Sequence, residues 1–234
     1  MMPFYFGPSA RALYGVYEPA HGHASRRGIV ICSPMGAEYY QTHSVCRSLA
    51  RRLAEAGVHT LRFDYLGTGD SALEWEDVGV EQWLEDIELA GQELRDMAGL
   101  AAVGAIGIRA GAILSLAAVQ AGQDLDRIAL WDPVPLAAGI RNGSGEETPP
   151  PGPQVDPVPD GATLRLPSPA LLVTTGVVEG PAVALTERLT AACADLVAVH
   201  HAERGPWDVQ AVGPGSVPMP IQSFGTLVQW ARDV

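Results

Sequence analysis

Apolar residues along this chain form short runs that alternate with longer segments of helical spacing. After the apolar run Gly28–Cys32, Val45, Leu49 and Leu53 recur every four residues and mark one face of a helix. The predicted strands are Phe4–Phe6, Ala12–Tyr17, Gly28–Cys32, Val58–Phe63, Ala102–Ile106, Arg127–Trp131, Pro169–Thr174 and Leu196–His201. The predicted helices are Gln41–Ala56, Trp83–Met97, Ala110–Ala121, Ala182–Ala194 and Ile221–Arg232.

This order of elements predicts an α/β fold. Strands and helices alternate from Gly28 onward, which favours a parallel sheet covered by helices on both faces, and the first two strands form an antiparallel pair. Residues 139–168 are rich in Pro and Gly without periodicity, so we expect a long surface loop or a rudimentary cap there. A length of 234 residues suits a single α/β domain over residues 1–234.

Composition excludes several classes of function. A net charge of −12 argues against binding nucleic acid or an anionic membrane by bulk electrostatics. All 15 basic residues are arginine, which excludes a lysine Schiff base and a P-loop lysine. The three cysteines have no metal-ligand spacing and are expected to be buried, reduced thiols. No signal-peptide pattern or long apolar run is present, so we expect a cytoplasmic protein that uses no metal and no cofactor.

The segment Ala102–Ala121 carries the sharpest motif. A strand enters the tight turn GIRAG (Gly107–Gly111) and a helix rich in Ala and Leu follows at once. This is the strand–turn–helix outline of a G-x-S-x-G nucleophile elbow, with Arg109 at the position of the nucleophile. Arginine cannot attack an acyl group, because its guanidinium stays charged and offers no free lone pair.

Three segments together resemble the α/β-hydrolase superfamily, in particular the serine-aminopeptidase-like and exosortase-system-associated hydrolases. ICSPMGAEYYQTH resembles the oxyanion-loop region, LRFDYLGTGDS resembles the loop after the fourth strand, and GIRAG lies where the elbow lies. The resemblance covers nearly the whole chain. It implies the α/β-hydrolase fold: a mostly parallel eight-stranded sheet, helices on both faces, and here a minimal Pro/Gly-rich cap.

The resemblance also implies a triad in the order nucleophile, acid, histidine. The nucleophile position is Arg109, and the acid position is Glu179 in the segment TGVVE. The loop that should hold the histidine reads ERGPWD, with Trp207 near the expected place; His201 and its neighbour His200 end the preceding strand. Two of the three positions are therefore altered, and the triad is interpreted as degenerate.

Further residues are expected around the same pocket. Backbone amides of Met35 and Ala110 correspond to the oxyanion donors, with Gly36 beside the first of them. The remaining candidates for the pocket lining are His43, which follows the oxyanion loop, Asp132, which ends a strand, and Trp207.

Two roles for Arg109 remain open at this stage. It binds an anionic ligand at the pocket floor, or it is a structural residue paired with Glu179 or Asp132, because a buried guanidinium needs a partner in either case.

The first functional hypothesis is a protein that binds an acyl, ketide or peptide intermediate, free or carrier-bound, and acts non-hydrolytically in biosynthesis by proton transfer, cyclisation or elimination. The alternatives are an ester or thioester hydrolase whose water is activated by His201 or Glu179, and a non-catalytic pseudoenzyme. We expect a small-molecule or carrier-bound acyl partner, neither nucleic acid nor membrane, and leave a homodimer open.

Overall fold

The computed structural model describes residues 1–22, 26–136, 164, 166–207 and 217–233. Eight strands form one sheet in the described part of the chain. They are β1 (Met2–Phe6), β2 (Leu13–Glu18), β3 (Arg27–Cys32), β4 (His59–Phe63), β5 (Ala102–Ile108), β6 (Ile128–Trp131), β7 (Ala170–Thr175) and β8 (Leu196–His201). The helices are α1 (Ala37–Glu55), α2 (Val80–Ala98), α3 (Ala110–Gln120), α4 (Pro181–Ala192) and α5 (Ile221–Arg232).

The strand order β1-β2-β4-β3-β5-β6-β7-β8 confirms the predicted mostly parallel eight-stranded sheet. The β1–β2 and β2–β4 pairs are antiparallel, and each pair from β4–β3 to β7–β8 is parallel. All parallel strands therefore end at one edge of the sheet. Loops that follow those ends lie side by side there, which is where ligands bind in open α/β sheets.

Two apolar clusters cover the two faces of the sheet. One contains Trp83 and Ile87 of α2, Leu114 of α3 and Leu189 of α4. The other contains Leu49 of α1 together with Phe224 and Leu227 of α5. The parallel strands contribute buried side chains to both clusters, which explains why they read as continuous apolar runs in the sequence.

The observed helices differ from the predicted ones mainly at their beginnings. Helix α1 begins at Ala37, four residues before the predicted Gln41, and α2 begins at Val80, three residues before the predicted Trp83. The start of α1 was missed because none of residues 37–40 in its first turn is buried, so the apolar pattern that predicts a helix is absent there. Strand β5 runs two residues further than predicted, to Ile108, and leads directly into the elbow.

Three smaller expectations concern the rest of the chain. The three cysteines are buried and free, as expected. Of the predicted loop or cap at residues 139–168, the structure describes 164 and 166–168, and the remainder lies outside the described residues. Within the described ranges, no helix is both long enough and apolar enough to cross a membrane.

Candidate functional site at the strand-to-helix elbow

Arg109 occupies the apex of the turn between β5 and α3. Its backbone dihedral angles are φ 56° and ψ −118°, in a region that L-residues rarely adopt. Such a conformation costs of the order of 1–3 kcal/mol and persists only where its surroundings fix it. The Arg109 amide donates to the Trp131 carbonyl oxygen at 2.9 Å, and the Arg109 carbonyl oxygen accepts from Ala112 at 3.1 Å.

The two glycines of the elbow are required by close packing. A Cβ on Gly107 would lie 2.5 Å from Ala112 Cα and 2.5 Å from Ser115 Oγ. A Cβ on Gly111 would lie 2.5 Å from the Ser33 carbonyl oxygen and would also collide with the Cys32 carbonyl. The helix therefore packs directly against the strand before it and against the end of β3, as the G-x-R-x-G pattern predicts.

Glu38 is the ion-pair partner of the Arg109 guanidinium. Arg109 Nη2 donates to Glu38 Oε1 at 2.9 Å, and Arg109 Nε lies 3.1 Å from Glu38 Oε2. The two side chains are only 18% and 14% exposed. The prediction that Glu179 or the Asp132 carboxylate would pair with Arg109 is wrong, because the first turn of α1 brings Glu38 over the elbow.

The rest of the guanidinium has weaker contacts. Arg109 Nη1 donates to the backbone carbonyl oxygen of Asp132 over a long 3.4 Å, and the guanidinium carbon lies 5.0 Å from the centre of the Trp207 ring. Trp207 itself packs edge-to-face on Trp131 at 5.3 Å. Glu38 thus binds the Nε–Nη2 edge of the guanidinium, and the guanidinium lies over the face of the Trp207 ring. The Nη1 end has the weakest of these partners.

Asp132 lies directly after β6 and is itself strained, with φ 43°. Its Oδ1 accepts the Thr175 backbone N–H at 2.8 Å, and its Oδ2 accepts the Thr175 hydroxyl. Burial raises the pKa of Asp132 to about 6, although the bonds from Thr175 and the charges of Arg109 and His200 act in the opposite direction. This carboxyl group can therefore gain or lose a proton near neutral pH.

Arg109, Asp132, Glu179 and Trp207 line one cavity of about 470 Å³ at the carboxyl edge of the sheet. Glu179 is exposed within this lining. The structure thus brings together four of the predicted site residues. The described part of the lining contains no serine, cysteine or histidine.

The predicted histidines are directed elsewhere. His201 Nε2 lies 2.8 Å from the Thr226 hydroxyl on α5, and His200 Nδ1 lies 3.0 Å from the Thr174 hydroxyl. Neither histidine is among the described residues that line the cavity. The catalytic role predicted for His201 is therefore corrected: the alternation of side chains along β8 turns it towards α5.

Of the remaining predicted site residues, three lie near the beginnings of α1 and α3, and His43 lies at a different cavity. Met35 is buried in the apolar core, and Gly36, with φ 61°, precedes α1. Ala110 is the first residue of α3. His43 is exposed on α1 and lines a different cavity, so the prediction that it contributes to the Arg109 pocket is wrong.

Sequence interpretation missed Glu38 and Thr175. Glu38 belongs to the quoted oxyanion-loop segment, but the predicted start of the helix at Gln41 left it in a loop. An acidic residue three positions before a predicted helix is a usable signal, since first turns favour anions. Thr175 lies four residues before the proposed acid Glu179, and no local pattern distinguishes its hydroxyl from that of Thr174.

Solved structures of other proteins share this architecture, although comparisons of sequence find no relative. Neither a scan against protein-family models nor a search of curated proteins finds a match. Among solved structures, an α/β serine hydrolase without a lid from Xanthomonas campestris is similar with a TM-score of 0.67 and 16% identity, over 99% of this chain and 93% of that chain. An α/β serine hydrolase homologue from Coxiella burnetii is similar with a TM-score of 0.64 and 15% identity, over 99% of this chain and 95% of that chain.

A third structure, Est1E from Butyrivibrio proteoclasticus with ferulic acid bound, is similar with a TM-score of 0.61 and 14% identity. That match covers 98% of this chain and 96% of the other. The sheet order, the elbow and these matches define the chain as a protein of the α/β-hydrolase fold. At such identities the likeness establishes the fold alone.

Proposed function

We propose that this protein binds a small acyl or ketide compound in the Arg109 cavity and moves a proton on it without hydrolysing it. The observation that carries the proposal is a fixed guanidinium at the apex of the elbow, in the same cavity as a carboxyl group whose pKa is raised to about 6. These are a hydrogen-bond donor for an oxyanion and a general base of suitable pKa.

The charge balance of the site favours a neutral ligand in the ground state. Glu38 neutralises Arg109 through the Nε–Nη2 edge, so the guanidinium offers its Nη1 donor without surplus positive charge. A carbonyl oxygen of a thioester or ketone fits such a donor. The hydrogen bond from Arg109 Nη1 becomes stronger as negative charge develops on that oxygen. It therefore stabilises the transition state more than the bound substrate.

The step that follows is proton transfer next to the carbonyl group. The ionised Asp132 carboxylate accepts the proton, the C–H bond breaks, and its electron pair delocalises onto the carbonyl oxygen as an enolate held by Arg109. Return of the proton completes the exchange. Thr175 positions Asp132 through two hydrogen bonds and leaves a second lone pair on each carboxylate oxygen.

Proton exchange on butyryl-N-acetylcysteamine in D2O, followed by NMR, tests this function. We expect exchange of the α-protons with the thioester intact, and a loss of roughly 10²–10⁴-fold in Asp132→Asn. The rate should rise with pH and level off above the Asp132 pKa of about 6, because only the ionised carboxylate accepts a proton. Asp86→Asn is the matched control, since Asp86 is another buried carboxyl group of raised pKa, bonded to the Leu66 amide.

Two results would contradict the proposal. Thioester cleavage accompanied by stoichiometric labelling with a serine-directed fluorophosphonate would identify a serine hydrolase. Binding of the thioester without exchange in the folded wild-type protein would identify a non-catalytic binding protein. Arg109→Ser is expected to stay unlabelled, because a serine without a basic partner is weakly nucleophilic.

A further inference from the structure

A second cavity, of about 230 Å³, lies between the first half of α1 and strands β2 and β4. Among the described residues it shares no lining residue with the Arg109 cavity. Its lining includes Ser33, Tyr39, Cys46, Arg62, Asp64 and Asp70.

Arg62 is the buried cation of this cavity. Side chains alternate along β4, so that Leu61 and Phe63 enter the α2 cluster while Arg62 faces α1. Arg62 is 7% exposed, and its Nε has no hydrogen-bond partner among the described residues. None of the salt bridges between described residues includes Arg62. A buried guanidinium without a counter-charge is costly, so an anion that enters this cavity is stabilised.

Of the two carboxylates that line the cavity, Asp70 is exposed and Asp64 already has other partners. Asp64 Oδ1 accepts the Tyr39 hydroxyl at 2.7 Å, and Asp64 Oδ2 accepts the Asp70 amide at 3.0 Å. Asp64 is therefore satisfied by its own loop and by α1. Arg62 therefore differs from Arg109: Glu38 pairs with the Arg109 guanidinium, whereas no carboxylate among the described residues forms a salt bridge with Arg62.

We propose that the second cavity is a binding site for the carboxylate group of a small molecule, anchored by Arg62. The Ser33 hydroxyl is a further donor, because its described partner is the weak acceptor Cys46 Sγ at 4.0 Å. Asp64 and Asp70 both line the cavity and disfavour the higher charge of a phosphate dianion. A singly charged carboxylate is thus the oxyanion that fits.

This site does not depend on the function proposed for Arg109. Adjacent residues of the first turn of α1 contact the two sites, Glu38 at Arg109 and Tyr39 at Asp64, but the two cavities share no described lining residue. Each site can therefore be lost without the other.

NMR of the protein labelled with ¹⁵N-arginine tests the site, with the Nε–Hε signals of Arg62 and Arg109 assigned by their absence in Arg62→Gln and Arg109→Gln. We expect sodium butyrate, titrated at constant ionic strength, to shift the Arg62 signal saturably. Calorimetry should show at least tenfold weaker binding at this site in Arg62→Gln, because a hydrogen-bonded charge is lost. Arg51→Gln is the matched control: Arg51 is an exposed arginine of α1 that is not among the described residues lining the cavity, so the affinity should change less than threefold.

The outcomes separate the two sites. An Arg62 signal that does not move with millimolar butyrate overturns the proposal, and the titration itself uses the wild-type protein. Movement of the Arg109 signal alone places butyrate in the first cavity and also overturns it. Tighter binding of inorganic phosphate than of butyrate at Arg62 overturns the assignment to a carboxylate.

Discussion

At the scale of single residues, Arg109 depends on an anion supplied by another helix. The N terminus of α3 follows Arg109 directly, and a helix dipole disfavours a cation there by a few tenths to about 1 kcal/mol. Glu38 lies in the first turn of α1, where the dipole favours an anion. The pair therefore offsets an unfavourable position for the arginine and uses a favourable one for the glutamate.

Breaking this pair on one side is expected to destabilise the protein. Arg109→Met leaves a mostly buried Glu38 carboxylate without its partner, which should lower the free energy of unfolding by about 1–3 kcal/mol. Arg109→Met combined with Glu38→Met removes both charges and should recover much of that loss. Urea denaturation of the two single variants and the double variant measures the coupling.

The exposed pair Arg51–Glu55, with 3.9 Å between Nη2 and Oε1, provides the control cycle. Its coupling should stay below about 0.5 kcal/mol, as for other solvent-exposed pairs one helical turn apart. A coupling for Arg109 and Glu38 no larger than that of the control would mean that the guanidinium is effectively solvated and that the elbow is not neutralised by Glu38.

At the scale of elements, the elbow depends on how closely α3 packs against the end of β3. Gly111→Ala would place a methyl group against the backbone carbonyls of Cys32 and Ser33, which cannot move without disturbing β3. We expect a loss of roughly 2–4 kcal/mol in the free energy of unfolding, or failure to fold. The midpoint of urea denaturation measures the loss.

Gly225→Ala is the opposite case within the same protein. Gly225 is an exposed residue of α5, and a Cβ there meets no atom within 4 Å. Alanine should stabilise the helix by about 0.5–1 kcal/mol, because glycine loses more conformational freedom on folding. Equal and small effects of both alanines would show that the elbow tolerates a wider separation of α3 and β3.

At the scale of the whole molecule, the two apolar clusters share one sheet. Val30 of β3 belongs to the α2 cluster, and Ile29 and Ile31 of the same strand belong to the α1 cluster. A strand that loses its packing on one face therefore loses its position on the other. This continuity favours a single cooperative unit over the chain.

We therefore expect both faces to unfold in a single transition. Trp83 is fully buried in one cluster and Trp131 in the other. In protein labelled with 5-fluorotryptophan, the native ¹⁹F signals of both residues should disappear at the same urea concentration, with assignments from Trp→Phe variants. Separate midpoints would divide the chain into two units of independent stability.

Local patterns in the amino-acid sequence predict the strands, the helices and the position of the elbow. Each of these follows from local information: periodicity distinguishes strands from helices, and Gly107 and Gly111 mark a turn where strand and helix must pack closely. The sequence also predicts that Arg109 needs an anion, because a mostly buried guanidinium is costly alone.

The identity of that anion depends on contacts between elements that are distant in the sequence. Glu38 and Arg109 are 71 positions apart and meet because β3 and β5 are neighbours in the sheet, which places the start of α1 above the elbow. The same placement separates His43 from the Arg109 cavity, and the pairing of β8 with β7 directs His201 to α5. Local periodicity encodes which face of an element is buried, whereas the identity of the residue opposite depends on how distant elements are arranged.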